Sequence, residues 1–372
     1  MRNTEFKSVI LGGLAVISLC SFLAYKILTG KAGPPDPNFS LERQAAQSML
    51  KAERATFNCQ KRRGLQPEKN KFDPNGTGLI GLEQSPLTTT LGRLEAKRTT
   101  TIPDMAALVV RLLREAGVKP GDSVAVAASS SFPALILASL CAGQCLNLDL
   151  MLVVSLGASQ WGANHPEFTI LDMLECWRQA GLDKHRLLAV TWGGEDNSGQ
   201  EFPEEIRAEI EIKAQKLGLK ILQPGRLKEM VEEQMNLFLE KARGPVKAFV
   251  NIGGNLVCLG RDASILELKP GLTSVEKIPP PERRGLIQTM ASRGIPVIHL
   301  LNIQELVTRY GLPWDPQPLP QPGASLAGRS QQQEKRQLTA VFLSYVLVGA
   351  IFVFSSCFIR KRRGQKEPQP DS

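Results

Sequence analysis

Histidine is scarce in this chain, with only His165, His185 and His299 among 372 residues. The three are far apart and keep no metal-ligand spacing with cysteine or carboxylate, so no metal centre is expected and no cofactor is implied. No G-x-x-x-x-G-K-[ST] stretch occurs, which leaves P-loop nucleotide hydrolysis without its cradle. No G-x-G-x-x-G follows an apolar strand, and no G-x-S-x-G elbow is present, so neither a dinucleotide fingerprint nor a hydrolase elbow is available. No internal repeat is found. The seven cysteines are odd in number and scattered among apolar neighbours. They read as small buried residues and not as a disulfide framework, with Cys141 and Cys145 sharing one helix face.

Positive charge is plentiful, but it is not where a nucleic acid would need it. The formal net charge is +9. Residues 1–31 carry +3 of this (Arg2, Lys7, Lys26 and Lys31 against Glu5), and residues 332–372 carry +4. Only +2 is left for the whole of 32–331, so nucleic acid is excluded as an expected partner.

The two charged flanks surround apolar runs. Ser8–Tyr25 holds 18 uncharged residues and Leu338–Ile359 holds 22, the second followed at once by Arg360, Lys361, Arg362 and Arg363. About 20 apolar residues suffice to cross a bilayer, so both are expected to be membrane spans. No small-residue cleavage site follows the first, which argues for an uncleaved anchor. The basic cluster past the second places the C-terminus in the cytoplasm and the intervening chain outside, at the periplasmic side of an inner or plasma membrane.

Between the spans, buried strands alternate with helices. Asp104–Ala116 has the apolar stripe of an amphipathic helix, and apolar strands follow over 123–128, 149–156, 186–192, 246–252 and 296–301. Helices are predicted over 133–146, 171–180, 203–217, 227–242 and 304–310. This pattern predicts an α/β fold: a Rossmann-like layered domain with a mostly parallel sheet, flanked by one N-terminal and one C-terminal transmembrane helix. The expected organisation is an anchor over 1–31, a linker with a polar helix over 32–77 and the α/β domain over 78–317. A Pro/Gly/Gln linker over 318–337, the second span over 338–359 and a basic tail over 360–372 complete it.

In such sheets ligands bind beyond the carboxyl ends of the strands. Four predicted strand ends carry small, hydroxyl or amide residues: Ser129, Ser130 and Ser131; Ser159 and Asn164; Gly193, Gly194 and Glu195; Asn251, Gly253 and Gly254. Turn chemistry explains any one of these; four together predict a cleft. The serine turn enters a helix at Pro133, where free N–H groups favour an anion. A serine nucleophile at Ser129 or Ser131 would instead need a base, for which His165 and Glu83 are the candidates.

As an ordered set, EQSPLTTTLG, LEAKRTTT, SSSFPALILASLCA, SLGASQWGANHPEFTILDM, VTWGGEDNSG, KAFVNIGGN and GIPVIHLLNI resemble the poly-gamma-glutamate system proteins, a family of bacterial membrane proteins. The resemblance spans residues 78–320. It departs from the family at Ser130, where glycine is frequent, and at His165, where an acidic or amide residue is usual; the second departure weakens His165 as a base. The resemblance implies a membrane-anchored accessory component of poly-γ-glutamate (capsule) biosynthesis or export, with the polymer and synthase membrane subunits as partners. Ser85, Lys97 and Arg98 lie in its distinctive loops and are candidate polymer contacts with the serine turn. The alternatives are a serine-dependent amide hydrolase or transferase acting on the polymer, and a non-catalytic docking subunit.

Overall fold

A computed structural model of the chain describes residues 11–23, 37–65, 71–194, 197–325 and 341–355, together with 339 and 358. The chain divides into two compact units, Met1–Asp36 with Leu326–Ser372 and, separately, Pro37–Ser325. In the first unit, residues 11–23 form helix α1. In the same unit, residues 341–355 form a second helix. The two run antiparallel: Ser18 Oγ lies 3.0 Å from the Tyr345 hydroxyl, and a Cβ built on Gly13 would meet the Phe352 ring. Leu19, Phe22, Phe342, Leu343 and Phe354 of this pair are exposed. Among the described residues no helix is long and apolar enough to cross a membrane. The outer ends of both predicted spans lie outside the described residues.

The second unit is mixed α/β. It opens with α2 (Pro37–Arg62), β1 (Thr88–Thr90), α3 (Leu94–Thr100) and α4 (Asp104–Glu115). Then come β2 (Ser123–Ser129), α5 (Pro133–Cys145), β3 (Asp149–Ser155), and the short strands β4 (Ala158–Ser159), β5 (Asn164–His165) and β6 (Phe168–Thr169). Next are α6 (Ile170–Gln179), β7 (His185–Thr191), α7 (Glu204–Lys216), β8 (Lys220–Ile221), α8 (Leu227–Lys241), β9 (Val246–Ile252) and α9 (Leu256–Leu259). β10 (Gly271–Thr273), α10 (Leu286–Ser292), β11 (Val297–Leu300) and α11 (Ile303–Tyr310) complete it, and α12 is the helix of residues 341–355.

Seven strands form the main sheet in the order β10-β11-β9-β2-β3-β7-β8, parallel throughout except for β10. The chain winds outward from β2 through β3 and β7, then returns to β9 on the other side of β2. That reversal is the switch point of a doubly wound, Rossmann-like sheet. Side-chain alternation divides the strands between two cores. Val124, Val126, Leu150, Leu152 and Val154 face α2, α4, α5 and α6, whereas Ala125, Ala127, Met151 and Val153 face α8 and α10. Burial on both faces explains why these strands are apolar runs without a polar alternate.

α5 is covered on all sides from Pro133 to Gly143, which its uniformly apolar sequence requires. Each buried Leu or Ile there contributes about 1.5–3 kcal/mol of transfer free energy. Pro133 starts the helix with a fixed φ at its first position, so the chain turns from β2 into α5 without a side-chain cap.

Two expectations need correction. The polar helix expected between membrane and domain over Ser40–Ala55 runs instead over Pro37–Arg62 as part of the α/β unit, and buries Ala45, Met49 and Ala52 against α4 and α5. Its apolar spacing of 45, 49 and 52 is the helical stripe that its many charges conceal. The cysteines are not all free: Cys59 on α2 and Cys176 on α6 form a disulfide across 117 residues. Cys141 and Cys258 are buried thiols, as expected, and burial pushes both up to about 12.

Candidate functional site

The loops after β2, β3, β7, β9 and β11 open into one cavity of about 700 Å³ at the carboxyl edge of the sheet. Ser129, Ser131, Ser155, Gly193, Gly194 and Gly254 contribute to its lining, and the cavity straddles the switch point beside β2. Its outer wall is the segment from Thr89 to Arg93 with α3 behind it. Parallel pairing of β1 with β4, Thr88 with Ala158 and Thr90 with Ser159, pins that wall to the β3 loop.

Glycine is needed at specific points of the floor. Gly193 and Gly194 adopt φ of +77° and +76°, which disfavours any side chain, and a Cβ on Gly193 would press on Ser155. Gly162 passes beneath the serine turn, where a Cβ would lie 2.8 Å from the Ser130 carbonyl oxygen.

Within the turn the three serines do different things. Ser130 is fully buried and its hydroxyl donates to the Ser155 carbonyl, so it belongs to the scaffold. Ser129 Oγ accepts from the Ser131 N–H at 3.2 Å and donates to Ser131 Oγ at 2.9 Å. Ser131 Oγ also accepts from the Ser159 N–H at 2.9 Å. With two donors aimed at it, the Ser131 hydroxyl keeps its own proton for a group in the cleft.

Lys97 differs most from its expected setting. The sequence LEAKRTTT offers Lys97 as a polymer contact, yet Lys97 is 3% exposed. Its Nζ donates to Ser159 Oγ at 2.7 Å and to the Ser131 carbonyl, and lies 3.7 Å from the centroid of the Phe132 ring. Burial lowers its pKa to about 7. Arg98, its neighbour, points away and donates to Asp315 from Nε at 2.7 Å, so it is not part of the cleft. The cations lining the cavity are Lys97 and Arg93, with Glu201 on the opposite wall.

The other predicted residues fall into three groups. Asn164 is buried and clamps Leu82 and Thr88, with Ser85 donating to the Asn164 carbonyl; both brace the outer wall. Asn251 lies under the floor, its amide donating to the Gly253 carbonyl at 3.0 Å and contacting His299 Nδ1. Glu83 and His165 line a second cavity of about 260 Å³ with Asp73 and Trp161, not the serine cleft. The expected pairing of Ser129 or Ser131 with either as base is therefore absent from the described contacts; His165 Nδ1 instead accepts from the Glu167 N–H. Glu195 lies outside the described residues.

Sequence reading missed Arg93, Thr89, Asn302 and Trp314 as cleft residues. Of these, Thr89 and Arg93 sit in or beside motifs already distinctive; Asn302 and Trp314 follow the last strand and its helix, where no local signal marks them.

No protein-family model matches this chain, and no curated protein matches it.

Proposed function

We propose that this chain is a membrane-anchored component of a poly-γ-glutamate synthesis or export system whose α/β unit handles the anionic polymer. The observation that carries this reading is the carboxyl-edge cleft of about 700 Å³, whose lining gathers Arg93 and Lys97 with Ser129, Ser131 and Ser159 beside the start of α5. A glutamyl chain presents one carboxylate per residue. The near-neutral domain can grip it only through local donors, and those donors are gathered here.

In this reading Ser8–Tyr25 and Leu338–Ile359 are the two spans of an inner-membrane protein, with the α/β unit on the periplasmic side and residues 360–372 in the cytoplasm. The antiparallel contact of α1 with α12 and the exposed apolar side chains on both support a lipid-facing hairpin. The Cys59–Cys176 disulfide supports the external placement, since such bonds persist in oxidising compartments.

The test is calorimetric titration of poly-γ-glutamate into the full-length chain in detergent micelles. Saturable binding that weakens with added salt and falls at least tenfold in Arg93→Ala is expected. Absence of binding at low salt, from a chain whose circular dichroism is native, would remove the polymer from the reading.

A further inference from the structure

Lys97 does something that grip alone does not require. A cation held for a carboxylate is better supplied by arginine, which stays charged and offers a fork of donors. Lysine is the residue that loses its charge when buried, and an unpaired buried ammonium is costly. Here the lysine is 3% exposed, carries no carboxylate among its described partners, and directs Nζ at a serine hydroxyl on the cleft wall.

We infer that Ser159 and Lys97 form a serine–lysine catalytic pair that cleaves or transfers an amide bond in the carboxyl-edge cleft. Its substrate class, an amide of a carboxylate-bearing chain, rests on the polymer reading above; the pair itself does not. Ser159 is the nucleophile because its Oγ is the hydroxyl that Lys97 Nζ touches, at 2.7 Å. Ser129 and Ser131 bond to each other instead, and Ser130 is committed to the Ser155 carbonyl. The pair is held from both sides. β1–β4 pairing fixes the Ser159 backbone, and the Ser131 carbonyl and the Phe132 ring fix the lysine.

The neutral amine of Lys97 takes the Ser159 Oγ proton as Oγ bonds to the amide carbonyl carbon, and the carbonyl π electrons move onto oxygen. As the tetrahedral adduct collapses, the C–N bond breaks, and the Lys97 ammonium returns its proton to the leaving nitrogen. A serine ester and a free amine result. Water, or an acceptor amine in a transfer, then attacks the ester while Lys97 again accepts the proton. The acyl group leaves as a carboxylic acid or a new amide, and Ser159 is re-protonated. The Ser131 hydroxyl, with its own proton directed to the cleft, is placed to hold a substrate oxygen. The charged groups facing this chemistry are Arg93 and Glu201 on the cleft walls; Arg98 is turned to Asp315.

The test is covalent labelling of the full-length chain in micelles by a fluorophosphonate, with the modified serine read by peptide mass spectrometry. Ser159 is expected to be labelled, and about thirtyfold faster at pH 8 than at pH 5.5 as Lys97 loses its proton. Lys97→Met should abolish labelling, while Ser292→Ala, an exposed serine outside the cleft, keeps it. The wild-type result stands alone if a variant fails to fold. No labelling of Ser159 across pH 5–10, or labelling of Ser129 or Ser131 instead, overturns the pair. Polymer binding measured on the same preparation separates the two readings. Binding without labelling sinks the chemistry and keeps the polymer; labelling without binding keeps the chemistry and sinks the polymer.

Discussion

At the amino ends of the central strands, Asp149 of β3 is buried and surrounded by donors. It accepts from Ser123 Oγ at 2.7 Å and from Arg186 Nε and Nη2 at 2.8 and 2.7 Å, with Arg243 Nε at 3.7 Å. At the carboxyl ends of the same sheet, Lys97 is equally buried and meets only a hydroxyl, a carbonyl and an aromatic face. Burial pushes the Asp149 carboxyl upward, but the hydrogen bonds from Arg186 and Ser123 outweigh it and hold the group below the usual carboxylate range. Burial pushes Lys97 down without opposition, to about 7. One edge compensates its charge. The other leaves a base uncompensated, which is what the inferred serine–lysine pair requires.

The sharpest way to break this contrast is to titrate stability at the carboxyl edge. A lysine whose folded pKa is lowered binds fewer protons folded than unfolded between about 7 and its ordinary 10.4, so stability must rise with pH across that window. Urea unfolding of wild type compared with Lys97→Met should show the difference growing by about 3 kcal/mol from pH 7 to 9.5. A flat difference would mean that Lys97 stays charged in the fold, and the two edges would then not differ in kind.

At the amino edge the sign reverses. Asp149→Ala leaves Arg186 without its partner and should cost about 2–3 kcal/mol at pH 7, below the full penalty for a buried pair because Arg186 is part-exposed. With a depressed folded pKa, the Asp149 contribution is present above about pH 4 and fades as pH falls through the folded value. The wild-type and Asp149→Ala unfolding midpoints should therefore converge in acid; midpoints that stay apart would assign the cost to packing. Asp172 has the same character: burial raises its carboxyl, but hydrogen bonds from Lys213 and Arg63 hold it low, so acid loosens α6 from α7 and the end of α2 as well.

The strands and the carboxyl-edge cleft are legible in the sequence, whereas the partners of the buried charge at either edge are not. Strand β9 is read residue for residue at Val246–Ile252, and α4 and α8 within one residue, because each is a sustained apolar run or stripe. The gathering of strand ends into one cleft also follows from alternation of strand and helix. What buries Lys97, however, comes from Ser131 and Ser159, 34 and 62 residues away. Within LEAKRTTT it is indistinguishable from Arg98, which the fold sends to Asp315, 217 residues on. The Cys59–Cys176 pairing is hidden for the same reason: 117 residues of separation carry no spacing signal. Periodicity reports which face a residue takes; it does not report what closes over that face from elsewhere in the chain.

The smallest effect is the most diagnostic of purpose. At pH 7 Lys97→Met removes a group that folding must partly neutralise, which favours the variant, and leaves the Ser131 carbonyl and Ser159 hydroxyl short of a donor, which opposes it. The neutralisation cost of about 4 kcal/mol is matched by the combined loss of about 2–6 kcal/mol expected from two unmet polar groups, so the variant should equal wild type to within about 1 kcal/mol. Scanning calorimetry should then show a melting temperature unchanged within a few degrees, alongside the loss of Ser159 labelling. A residue whose removal leaves the stability of the fold unchanged while abolishing its chemistry is held there for the chemistry. If Lys97→Met instead melts several degrees lower, the lysine is a structural tie between α3, the serine turn and β4, and the cleft is a binding site only.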